Sequence, residues 1–240
     1  MLMGRNDQDR IIRKIDLERF LCAVVPHPFP QAHLEQYTTT EPIAATLLFL
    51  ASYSNSDIIG KTIVDLGCGT GRLAMGASFL GAKQVVGIDI DKIAVKTAHE
   101  TAKRLKMNKN INWIIGDISV ITGHFNTVLQ NPPFGIQKRN ADRKFLKKAL
   151  EIGDKVYSIH SHPSMDKKLM QLFGRSSSNL IRVNPSRFLQ KYIAKHNGHI
   201  IAVYSLMMTI PKMFNFHKKN KHSFIIDLYW IEKCNKLNVQ

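Results

Sequence analysis

The sequence predicts an α/β fold: a seven-stranded, mostly parallel sheet with helices on both faces and a C-terminal antiparallel strand pair. Three observations carry this. Short apolar runs alternate with helical patterns from residue 62 to residue 151, the texture of repeated strand–helix–strand units. The first run enters a glycine-rich turn that leads into a helix, as in nucleotide-binding sheets. Only the connection over 211–222 separates the last two runs, which suits an antiparallel pair.

The elements follow in order. Ile11, Ile12, Ile15, Phe20 and Leu21 share one face of an amphipathic helix over 9–24. Pro26, Pro28 and Pro30 keep the next segment extended as far as Leu34-Glu35-Gln36-Tyr37. Thr40-Glu41-Pro42 opens a second helix, with threonine as cap and proline in the first turn, running to about Tyr53. Strands are expected at 62–66, 84–88, 111–115 and 127–130, and helices at 72–80, 92–105 and 142–151. The remaining strands fall at 155–159, 199–209 and 223–232. The stretch 163–185 breaks the pattern. Its Gly174-Arg175-Ser176-Ser177-Ser178-Asn179 tract reads as a linker-like insertion between two helical patterns.

Bulk properties exclude several classes. With 240 residues, 44% of them apolar, the chain can bury a full core and is not a disordered protein. No apolar run reaches the ~18 residues of a membrane span. The start, Met1 to Arg19, is charged throughout and lacks the apolar segment of a signal peptide. Cys22, Cys68 and Cys234 stand far apart without a CxxC spacing, which points to a reduced, cytoplasmic setting and no metal site. The net charge of +16 is concentrated: eighteen Lys/Arg face four Asp/Glu between Lys138 and Lys221. A polyanion partner would explain that; a generally lysine-rich solvated surface would explain it equally well.

The run Ile63-Val64-Asp65-Leu66-Gly67-Cys68-Gly69-Thr70-Gly71 has the form of a cofactor cradle. Asp65 precedes the first glycine, where a carboxylate can reach the amino-acid part of a ligand. Asp89 closes the second strand, where it can accept both ribose hydroxyls, with Ile90 beside it. Asp117 follows the third strand and can accept from an adenine amine, with Ile118 against the ring. Each acid alone could equally be a turn former or helix cap, the reading adopted for Asp91. Together, in order and at this spacing, they resemble the S-adenosylmethionine site of class I Rossmann-like methyltransferases.

Asn131-Pro132-Pro133-Phe134 follows the fourth strand. An exocyclic amine or amide nitrogen is a poor nucleophile because its lone pair is delocalised. Acceptors near its protons, the Asn131 side-chain oxygen and the Pro132 carbonyl, would turn that lone pair toward a methyl donor. The prolines stiffen the loop, and Phe134 offers a stacking face worth ~1–3 kcal/mol per base. This signature is shared by methylases of adenine N6, cytosine N4, guanine N2 and glutamine amides, so the target atom type is clearer than the substrate.

Leu34-Glu35-Gln36-Tyr37-Thr38-Thr39, Asn131 to Gly135, Val156-Tyr157-Ser158-Ile159-His160 and Phe216-His217-Lys218-Lys219 narrow the likeness. With the glycine turn they resemble the archaeal and eukaryotic methyltransferase-like family that forms N6-methyladenosine in small-subunit ribosomal RNA. That resemblance implies the following roles. Gln36, Tyr37 and Thr39 would lie at the methionine end of S-adenosylmethionine. Asp65, Gly67 and Gly69 would cradle it, Asp89 would hold the ribose, and Asp117 the adenine. Asn131 to Phe134 would hold the target base, and Phe216, His217, Lys218 and Lys219 would border the RNA groove. His160 and His162 are expected to be structural. It implies residues 1–55 as a helical segment contributing to the cofactor site and 56–240 as the methyltransferase domain. Eukaryotic relatives use a small zinc-binding activator at the sheet edge, so a comparable protein is a candidate partner. The insertion at 163–185 departs from the family. Competing readings are a glutamine N5-methyltransferase, which usually has tyrosine at the position of Phe134, a guanine N2-methyltransferase, and an RNA-binding module on a methyltransferase scaffold.

Overall fold

The computed structural model describes residues 11–31, 34–36, 38–135, 140–163, 166–175, 180–211 and 221–234. Five parallel strands come first: β1 (Thr62–Leu66), β2 (Gln84–Asp89), β3 (Ile111–Ile115), β4 (Phe125–Gln130) and β5 (Gly153–Ser161). They are joined by α3 (Arg72–Phe79), α4 (Lys92–Arg104), a 3-10 turn at Ile118–Val120 and α5 (Ala141–Ile152), after the N-terminal helices α1 (Lys14–Cys22) and α2 (Glu41–Phe49). The chain continues through α6 (Lys167–Arg175), β6 (Leu180–Arg182), α7 (Arg187–Lys195), β7 (Gly198–Pro211) and β8 (Lys221–Lys233). The strand order is β3-β2-β1-β4-β5-β8-β7-β6. The first five strands pair in parallel, and β8 pairs antiparallel with β5 and β7.

All seven expected strands form, and an eighth arises inside the insertion. Leu180 to Arg182 pairs antiparallel with Tyr204 to Leu206 of β7, while Ser176 to Asn179 of the linker-like tract lie outside the described residues. The pairing satisfies backbone groups that would otherwise lie open along β7. Ahead of it, Asp166 caps α6 by accepting from the Lys168 and Leu169 N–H groups, and Leu169 is buried.

Two apolar layers sandwich the sheet. On one face, Leu17 and Leu21 of α1, the apolar residues of α2 and α3, and Ala98 and Ala102 of α4 form one core. On the other, Leu146 and Leu150 of α5, Leu189 and Ile193 of α7 and Ile118 form the second. β1 is covered on both faces, and Ile63 to Leu66 are all buried, which explains an apolar run without alternation. Helix α2 is buried from Ile43 to Leu48 because α1 covers the side turned away from the sheet.

Candidate active site

The strand order reverses between β1 and β4, and a cleft of about 260 Å³ opens at the carboxyl ends of these strands. Its floor is the glycine turn. Gly67, Gly69 and Gly71 have φ of 68°, 53° and 82°, in the left-handed region that disfavours side chains. Contact differs among them. A Cβ on Gly71 would lie 2.3 Å from the Trp113 ring, and one on Gly67 would lie 2.8 Å from Phe145. At Gly69 nothing stands within 4 Å, so backbone is presented to open space, as a ligand cradle requires.

Three aspartates line this cleft. Asp65 is buried, and its Oδ2 accepts from the Ala74 N–H at 3.0 Å. Burial pushes its carboxyl up to about 7, with nearby Asp89 adding to the effect. Asp89 accepts the Gly69 N–H at 2.8 Å on Oδ2 and the Asp91 N–H at 2.9 Å on Oδ1. Its pKa is also raised by burial, which those two donors only partly offset. Asp117 differs. It caps the 3-10 turn through the Ser119 N–H and receives the Lys144 ammonium at 2.8 and 2.9 Å. The Lys144 hydrogen bond comes first among the causes that hold its pKa at about 2. It is therefore both a cap and part of the cleft wall. Ile118 is buried beside it, and Ile90 is an exposed rim residue.

The segment before α2 closes one side. Gln36 reaches the wall, but its amide is engaged: Nε2 donates to Asp91 Oδ2 at 2.7 Å and Oε1 accepts from the Gln31 N–H at 2.7 Å. That sets Gln36 beside Asp91, two residues beyond the end of β2. Asp91 caps α4 as expected, through Ile93 and Ala94. It also holds His27, whose Nε2 lies 3.1 Å away. Burial opposes ionisation of Asp91, but the donors Gln36, Ile93 and Ala94 and the nearby His27 outweigh it and lower its pKa. Tyr37 and Phe216, His217, Lys218 and Lys219 lie outside the described residues.

Asn131 and Thr39, 92 residues apart, meet in the wall: Asn131 Nδ2 donates to Thr39 Oγ1 at 2.9 Å. Arg72 fixes Thr39 from behind, donating to its carbonyl at 2.6 Å while pairing with Glu41 at 2.8 Å. With the Asn131 nitrogen so used, its Oδ1 is buried and has no hydrogen-bond partner among the described residues. Pro133 lines the cleft and Pro132 is buried. Half-buried Phe134 meets the Phe224 ring edge-on, centroids 6.1 Å apart. Beneath them, Gln130 Nε2 donates to Ser158 Oγ, which meets His160 Nε2, both contacts at 2.8 Å. Burial pushes the His160 pKa down to about 4, so it is neutral and structural. His162 pairs with buried Asp227 at 2.9 Å.

The sequence alone missed Arg72, His27, Lys144 and Phe145 as parts of this site. None carries a local signal. Arg72 is simply the residue after the last glycine, and the other three are brought in by tertiary packing. Among the described residues no group of three or more His, Cys, Asp or Glu could hold a metal. No helix there is long and apolar enough to cross a membrane.

Residues 37–178 match the methyltransferase small domain family. A protein of Methanocaldococcus jannaschii, itself uncharacterised, is 38% identical over 93% of this chain and 95% of its own length. The Drosophila melanogaster rRNA N(6)-adenosine-methyltransferase Mettl5 is 30% identical over 90% of this chain and 94% of its own. A Pyrococcus horikoshii crystal structure, of a protein named as a candidate RNA methyltransferase, superposes with a TM-score of 0.77 at 34% identity, covering 94% of this chain and 100% of that one. An open glycine turn, acids ending β1 and β2 and after β3, and an Asn-Pro-Pro-Phe loop suit S-adenosylmethionine and a nitrogen target. The chain belongs to the methyltransferase small domain family and is an S-adenosylmethionine-dependent N-methyltransferase.

Proposed function

We propose that this enzyme methylates the exocyclic amine of an adenine in small-subunit ribosomal RNA, forming N6-methyladenosine. The carrying observation is the buried Asn131 Oδ1, without a hydrogen-bond partner among the described residues, while Nδ2 is held by Thr39. A buried acceptor left unpaired costs roughly 1–3 kcal/mol, a penalty that a bound amine would relieve. A long, mutually covering relative named for adenine N6 in rRNA supports the same substrate.

S-adenosylmethionine would be held over the Gly67–Gly69 backbone, with Asp65 toward its ammonium, Asp89 toward its ribose hydroxyls, and Asp117 with Ile118 toward its adenine. The cofactor, once bound, supplies a methyl group on a sulfonium centre. Asn131 Oδ1 and the Pro132 carbonyl accept from the target amine and turn its lone pair out of the ring plane. Pro133 stiffens the loop and Phe134 stacks on the base. No strong base is needed, because the amine proton becomes acidic as the new N–C bond forms. His160, neutral and engaged by Ser158, takes no proton.

Residues 1–55 act as part of this single methyltransferase unit, and the enzyme works in the cytoplasm. A small zinc-binding activator is a fitting partner. The edge strand β3 and its surroundings expose Ile90, Ile93, Ile115 and Val120, apolar surface that a partner would cover.

The test is methyl transfer from labelled S-adenosylmethionine to purified small-subunit rRNA, with nucleoside digestion and mass spectrometry. Label in N6-methyladenosine is the expected result. Label in N2-methylguanosine, or only in protein glutamine, overturns the adenine reading.

A further inference from the structure

Helix α7 carries two side-chain stripes beside its buried one. Arg187, Lys191 and Lys195 repeat every fourth residue, and so do Phe188, Tyr192 and His196 immediately next to them. The three cations are exposed and have no carboxylate partner among the described residues, and α7 contains no acid at all. The rings of this stripe touch in sequence: Phe188 stacks on Tyr192 at 6.0 Å, and Tyr192 meets His196 at 4.5 Å, tilted by 39°.

α5 completes the surface. The Arg143 guanidinium lies 4.4 Å over the Phe188 ring, and the Tyr192 hydroxyl donates to the Arg143 carbonyl at 3.0 Å. Phe188 nevertheless stays 47% exposed, so ring surface remains available. One turn along α5, exposed Lys147 adds a further cation, while Ala141 and Lys144 of the same helix line the cofactor cleft. Cations and ring faces therefore share one strip, carried by α7 and by the helix that also lines the cleft.

A solvated lysine face needs no aromatic stripe, and a protein-binding face would not put uncompensated cations along one helix. Phosphates at the cations with bases at the rings satisfy both. We propose that the α5–α7 strip is the docking surface for a single-stranded segment of the RNA substrate flanking the target base. This rests on the reading of the enzyme as an RNA methyltransferase.

The test uses the full chain with purified small-subunit rRNA and compares wild type with the triple variant Arg187→Gln, Lys191→Gln, Lys195→Gln. The expected result is affinity weakened about tenfold at moderate salt. The slope of log K against log salt should fall by about 2, from ~0.7 per phosphate contact on a single strand over three contacts. S-adenosylmethionine affinity should be unchanged, which shows that the variant is folded. Phe188→Ala, measured separately, should weaken binding roughly fivefold with the slope unchanged. Wild type that binds and methylates RNA, with both variants equal to it in affinity and slope, overturns the strip and leaves the enzyme reading intact. Wild type without affinity for RNA overturns both.

Discussion

Asn131 Nδ2 donates to Thr39 Oγ1 at 2.9 Å, and this one bond fixes which end of the asparagine amide stays without a partner among the described residues. Thr39 is itself held by Arg72, so the orientation is set by α3 and by the segment before α2, not by the catalytic loop. Asn131→Ala should lower kcat by at least about 10²-fold, the scale of losing one positioned hydrogen-bonding group at a reaction centre. Cofactor affinity should stay within a few-fold of wild type. Thr39→Val should lower kcat about tenfold with little change in KM, and Thr39→Ser should restore it. Steady-state kinetics with isothermal titration of the cofactor check all three variants.

The glycines of the turn should fail for different reasons. Gly71→Ala drives a methyl group to 2.3 Å from Trp113 at a φ of 82°, and should cost more than about 2 kcal/mol of stability. Gly69→Ala meets open space, so only the left-handed backbone is penalised, at ~1–2 kcal/mol. Its larger effect should be on cofactor binding, a loss of tenfold or more, because the new group stands where the ligand approaches. Denaturant melts and calorimetric titration separate the two.

Asp65 should make cofactor affinity pH-dependent. Its carboxyl, raised to about 7, must ionise to meet an ammonium, so affinity should climb from pH 6 to pH 8, and binding below pH 7 should release a proton. The stability sign is opposite. A carboxyl raised above its unfolded value binds protons preferentially in the folded state, so the cofactor-free protein loses stability as pH rises from about 4 through 7. Asp65→Asn should abolish cofactor binding and stabilise the cofactor-free protein at pH 8, on the order of 2 kcal/mol, with little change at pH 4. Melting curves at both pH values check this.

His160 should act in the reverse sense. Its pKa is depressed to about 4 by burial, so the unfolded chain binds its proton first. Its contribution is intact above the unfolded value of ~6.5 and is lost as pH falls toward 4. Proton NMR should find the His160 ring neutral at pH 5. A His160 ring titrating near 6.5 would remove this acid sensitivity.

Much of the site was legible because its chemistry is local. Asp65, Gly67 and Gly69 sit on one strand–turn unit, and Asn131 to Phe134 on one loop, so spacing along the chain already reports spacing in the molecule. Gln36 shows the limit. Its place near the cleft could be carried over by resemblance, but its engagement by Asp91, 55 residues away, is visible only in the fold. The insertion shows another: Leu180 to Arg182 is too short to announce a strand and becomes one only because β7 offers it an edge.

What the sequence by itself determined is the layered α/β architecture, the glycine cradle and the Asn-Pro-Pro-Phe loop, since periodicity and turn chemistry act between near neighbours. What only the tertiary structure decided is the state of those groups. The protonation of Asp65 and His160 follows from burial between packed layers, the reach of Lys144 to Asp117 from the seating of α5, and the orientation of the Asn131 amide from Thr39. Desolvation and hydrogen-bond partnering are set by what surrounds a side chain in space, and strand order and helix packing decide that.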